Sequence, residues 1–67
     1  MYASKNFKTK KEFREAVERG DEITLWSPGL GSPKTDGTEY VEGPQYPLPH
    51  KWYAQVTVES GIVKKVR

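Results

Sequence analysis

A chain of 67 residues, 34% hydrophobic and 30% charged, can bury only a small core, and such cores rarely leave more than about 3–5 kcal/mol of net stability. Zero Cys excludes disulfides, thiolate metal sites and cysteine nucleophiles; no apolar run approaches the ~20 residues of a membrane helix, and no signal-peptide core follows the N-terminal lysines. The net charge of +2 is uneven: residues 1–11 hold four lysines and no acid, residues 12–22 hold five acids against two arginines, and Lys64, Lys65 and Arg67 make the far end basic.

Residues 10–19 are expected to form a helix. Thr9 followed by Glu12 fits a capping box, and Gly20 sits where a helix ends in a left-handed residue. Phe13, Ala16 and Val17 share one face at i, i+3 and i+4. Phe7, just before the cap, can fold back over Phe13. Lys11–Glu15, Arg14–Glu18 and Glu15–Arg19 are candidate i,i+4 ion pairs on the opposite face. So short a helix must dock on something to persist.

Residues 22–26 alternate as a strand, with Ile23 and Leu25 on one face and Thr24 and Trp26 on the other. Residues 27–50 hold all five prolines and four of the six glycines and are expected to form a long Pro/Gly/aromatic loop. Within it Asp36-Gly37 signals a turn and residues 38–41 could form a short edge strand; Pro44 to Pro49 should run extended in a polyproline-like path. Residues 51–58 alternate more strictly, sending Trp52, Ala54, Val56 and Val58 inward and Tyr53, Gln55 and Thr57 outward. A three-residue Glu59-Ser60-Gly61 loop then leads to a strand at 62–66 and pairs Val58 with Ile62, Val56 with Lys64 and Ala54 with Val66. It is preferred to a two-residue Ser60-Gly61 turn, which would face Val66 outward. The expected fold is α+β and a single domain: one short N-terminal helix packed on an antiparallel sheet of three to four strands ending in a β-hairpin. Its core should hold Phe7, Phe13, Val17, Ile23, Leu25, Trp52, Val56, Val58 and Ile62.

The side-chain inventory argues against an enzyme. His50 is the lone imidazole, flanked by Pro49 and Lys51, and nothing in the sequence nominates a partner to orient it. Carboxylates such as Glu15–Glu18 and Asp21–Glu22 read as solubilising charge. The Gly29-Leu30-Gly31-Ser32-Pro33-Lys34-Thr35 stretch lacks the Gly before Lys and the following helix of a phosphate loop. No cofactor or metal is expected.

The aromatic inventory is more informative. A protein-interaction module would use the proline/aromatic loop, with Trp26, Tyr40, Tyr46, Tyr53 and Lys51 as contact residues; Pro44-Gln45-Tyr46-Pro47 also matches a bare P-x-x-P pattern. The alternative is nucleic-acid binding through Lys5, Lys8, Lys10, Lys11, Lys64, Lys65 and Arg67, which requires the basic ends to converge away from the acids. A third option is self-association through an open edge of the last strand, with Val63 facing out. No membrane partner is expected. The general style is that of small cytoplasmic accessory proteins of bacteria and their phages, an expectation that no motif carries.

Overall fold

Among the described residues six elements follow one another: β1 (Tyr2–Ala3), α1 (Lys10–Glu18), β2 (Leu25–Trp26), β3 (Gly37–Gly43), β4 (Trp52–Glu59) and β5 (Ile62–Val66). The computed structural model of the chain describes every residue except Pro28, Leu30 and Tyr46. The fold is α+β, but its strands form a three-stranded antiparallel sheet in the order β3-β4-β5 and a separate β1-β2 pair, rather than one sheet of three or four.

The helix starts and stops where its local chemistry dictates. Thr9 is extended and its Oγ1 accepts the Glu12 N–H at 3.2 Å. The Glu12 carboxylate reaches one residue further back than a capping box requires, accepting from the Lys8 N–H at 3.3 Å. Gly20 (φ 93°) takes the left-handed position. Gly20 N–H donates to the Val17 carbonyl and Asp21 N–H to the Ala16 carbonyl, a double closure that ends the helix at Glu18, one residue early. None of the three expected i,i+4 ion pairs forms among the described residues; Arg19 turns past the helix end to Asp21, with Nη2 and Oδ2 2.6 Å apart.

The segment 27–50 is not one long loop. β3 runs seven residues and pairs with β4 along its whole length, from Gly37↔Val58 to Gly43↔Trp52. It outruns the expected 38–41 because glycine stands at both ends. Gly37 adopts φ 123°, and a Cβ at Gly43 would run into the Trp52 indole. The described residues on either side of Tyr46 do not continue the strand as an extended path either. Leu48 N–H donates to the Gln45 carbonyl and Lys51 N–H to the Gly43 carbonyl, folding the proline segment into a turn that connects β3 to β4.

The terminal hairpin corrects the expected register. The turn is the two-residue one, with Ser60 at φ 52° and Gly61 at φ 78°, as suits a turn matched to the strand twist. Glu59 faces Ile62 and Val58 faces Val63. The ladder then shifts, so that Thr57 faces Lys65 and Val56 faces Val66. The extra residue, Lys64, is a bulge. It lets the tight turn coexist with inward-facing Val63 and Val66, a combination that an unbulged strand cannot supply. The 35–36 segment holds the turn from outside: Ser60 N–H donates to Asp36 Oδ1, and Gly61 N–H to the Thr35 carbonyl.

The expected strand 22–26 keeps its alternation but divides its pairing. Leu25 and Trp26 pair with Ala3 and Tyr2, while Thr24 bridges Ile62 and the Ile23 carbonyl accepts the Val63 N–H. On the other side, the Met1 carbonyl accepts the Glu42 N–H. The two sheets are thus joined at both flanks, and the strands run in a ring β1-β2-β5-β4-β3. Val63 is 2% exposed, so it does not face out as expected, and the start of the last strand's edge, at Ile62 and Val63, is occupied by Thr24 and Ile23. Among the described residues no helix is long and apolar enough to cross a membrane.

Phe13, fully buried, stands at the centre of the core, stacked on Trp52 with ring centroids 5.3 Å apart and in contact with Phe7 at 5.4 Å. Ile62 is only half-buried and Val17 packs at the margin, while Tyr2, Ala3, Val41 and Val63 join the interior. Phe13→Ala should remove about 3–5 kcal/mol, near the whole stability of such a chain, and leave the NMR amide spectrum collapsed at 25 °C. Gly43→Ala should cost about 1–3 kcal/mol through overpacking against Trp52, read as a lower urea midpoint.

Candidate binding face

The alternation of β4 divides the three-stranded sheet into an apolar inner face and a polar outer one. Tyr53, Gln55 and Thr57 point outward, and the register completes three cross-strand rows. Thr38, Thr57 and Lys65 form the first; Tyr40 sits opposite Gln55; Glu42 sits opposite Tyr53. The second row continues to Arg67, whose N–H donates to the Gln55 carbonyl at 2.8 Å. Tyr40 and Tyr53 are diagonal neighbours and stay 66% and 64% exposed. With Met1, Glu42 and Gln55 they line an open groove of about 400 Å³.

One end of this face is tied down by a polar cluster. Glu42 Oε1 accepts from the Met1 ammonium at 2.8 Å, and Glu42 Oε2 lies 3.5 Å from His50 Nδ1. His50 Nε2 shares a 2.8 Å hydrogen bond with the Tyr2 hydroxyl, and the two rings meet edge to face. His50 therefore has the orienting carboxylate that the sequence does not nominate. These contacts run through the buried Tyr2 and read as a clasp between the N-terminus, β3 and the proline turn. The ammonium hydrogen bond, opposed by partial burial and helped by the ammonium and His50 charges, holds the Glu42 carboxyl below its ordinary value of 4.5.

The structure separates the other sequence candidates. Trp26, 41% exposed, packs on Tyr2 at 5.2 Å and donates from Nε1 to the Ala3 carbonyl, which makes it a clamp between β1 and β2. Lys51 lines a different groove with Lys8, Pro44, Leu48 and Pro49. Tyr46 lies outside the described residues. The basic ends do not converge free of acids. Lys5 shares a groove with Glu12, Glu15 and Arg19, and Lys10 and Lys11 open the helix beside Glu12. Lys64 and Lys65 border Glu18, and Lys64 also borders Asp21 and Glu22.

The pairing register brings Lys65 and Arg67 to the face that carries Tyr40 and Tyr53, so residues proposed for two different roles share one surface. Sequence reasoning missed Gln55 and Glu42 as members of it. The outward position of Gln55 in the 52–58 alternation was the available signal for the first; nothing local signals the second. Among the described residues no three His, Asp or Glu side chains gather to hold a metal. Comparison of the chain with protein-family profiles, curated proteins and solved structures gives no match.

Because the folded Glu42 value is depressed, its contacts add stability that is complete above pH 4.5 and is lost as the pH falls through the lower folded value. Glu42→Gln should lower stability by about 1 kcal/mol at neutral pH. Urea midpoints of the variant and the parent should converge as the pH falls below the depressed folded value of Glu42.

Proposed function

We propose that the protein acts by non-covalent binding, catalyses no reaction, and makes contact through the outer face of β3, β4 and β5 around Tyr40 and Tyr53. One observation carries this reading: two tyrosines, each about two-thirds exposed, stand side by side on the most extensively paired part of the molecule. A chain this short of apolar surface gains no stability from rings left in water, whereas exposed tyrosines on a rigid sheet are efficient contact groups.

The proline segment, the contact surface expected from the sequence, supports the reading less well. Pro44 is buried, and the backbone of the segment closes on itself.

The reading is tested by capture from extract of the native host. Wild type, Tyr40→Ala/Tyr53→Ala and Leu48→Ala are immobilised after circular dichroism shows matching folds. Bound species should disappear with the double variant and persist with Leu48→Ala, which alters the separate groove beside Lys51. Capture that survives loss of both tyrosines, or that depends on Leu48 instead, overturns the assignment.

A further inference from the structure

We infer that the ligand of this face is single-stranded nucleic acid, an inference that rests on the binding reading above. Tyr40 and Tyr53 are diagonal partners on adjacent strands, about 7–8 Å apart at their backbones, with both rings open to solvent. An unstacked single strand can lay successive bases on two such rings, and this stacking tolerates any sequence because every base has a π-face. In a duplex those faces are already covered by neighbouring bases.

The charges beside the rings fit a phosphate backbone. Arg67 ends the row that begins with Tyr40 and Gln55, and Lys65 ends the next row. Among the described residues neither is in an ion pair. The acids nearby are Glu42, Glu59 and Glu18. Glu42 shares the face, but its two oxygens are turned to the Met1 ammonium and His50. Glu59 lies at the hairpin turn, opposite Ile62. Glu18 borders Lys64 and Lys65 from the helix and leaves Arg67 as the cation best placed beside the tyrosines. Gln55, between Tyr40 and Arg67, offers an amide donor and acceptor to a base edge.

An extended peptide fits less well. Its usual route onto a sheet is strand addition at an edge, not the outer face that carries the tyrosines, and one stretch of each edge is already taken, by the Met1 carbonyl at Glu42 of β3 and the Ile23 carbonyl at Val63 of β5.

The test is fluorescence anisotropy with a labelled mixed-sequence oligonucleotide of about ten nucleotides, in ribose and deoxyribose forms and as a duplex, at ~50 mM salt. Wild type should bind the single strands more tightly than the duplex. Tyr40→Ala and Tyr53→Ala should each weaken binding by roughly five- to a hundredfold, and Tyr→Phe at either position should restore it. Lys65→Gln and Arg67→Gln should each flatten the log–log salt dependence by about 0.7, a readout that is independent of the tyrosine variants. Absence of single-strand binding by folded wild type, equal binding of the duplex, or indifference to both tyrosines overturns the inference. If extract capture still depends on the tyrosines but the captured species is a protein, the nucleic-acid ligand falls and the binding face stands.

Discussion

The indole of Trp52 meets three parts of the chain that are remote in sequence. Its face stacks on Phe13 of the helix, its Nε1 donates to the Phe7 carbonyl, and its edge fills the space left by the missing side chain of Gly43. A nine-residue helix is marginal in water and persists only by docking, and here the docking runs from Phe13 to this ring. The last pair of the β3–β4 ladder forms only because Gly43 lets the indole approach. The same side chain therefore sets the seat of the helix, the length of the sheet and the path of the segment before the helix.

The remaining strands are too short to stand by themselves. β1 and β2 contribute two residues each, far below what an isolated pair needs. Contacts at their margins hold them: Tyr2 between Trp26 and His50, the Met1 ammonium on Glu42, the Met1 carbonyl on β3, and Ile23 with Thr24 on β5. Closing the strands into a ring gives the flanking N–H and C=O groups partners that a small open sheet would leave to water. It also covers part of each edge through which small β proteins associate, at Glu42 on β3 and at Ile62 and Val63 on β5. Aromatic edges and one carboxylate thus do for this chain what a larger apolar core does elsewhere.

Features set by neighbouring residues were legible in the sequence. Thr9, Gly20 and the Phe13–Ala16–Val17 face define the helix locally, and the alternation of 52–58 fixes which side of that strand is buried. The hairpin was not legible, because two local rules conflict there. Ser60-Gly61 favours a tight turn, whereas burial of Val66 favours a longer loop, and a bulge at Lys64 satisfies both at a point the pattern does not mark. β1 has no periodicity to read in two residues. β3 extends beyond the expected 38–41 to Gly43, where the missing side chain leaves room for the Trp52 indole, a contact that no local pattern marks. The candidate site divides in the same way. Tyr53 was visible as an outward residue, but its neighbourhood with Arg67 depends on the register of two ladders. The partners of His50 lie 8 and 48 residues away.

Why the contact rings should lie on the sheet rather than in the proline loop follows from how position is determined in so small a protein. Along β4 each outward residue is flanked by inward ones: Tyr53 by Trp52 and Ala54, Gln55 by Ala54 and Val56, Thr57 by Val56 and Val58. The burial of those neighbours fixes the backbone from which the outward side chains project. Preorganisation of this kind lowers the entropy lost when a ligand is bound. Outward residues can meanwhile change without opening a cavity, so the face is free to take the chemistry of a ligand. In the loops the backbone is held by a few hydrogen bonds, and the clamps Trp26 and His50 cannot be altered without loosening the strands they join. The outer sheet face is the part of the molecule where rigidity and chemical freedom coincide.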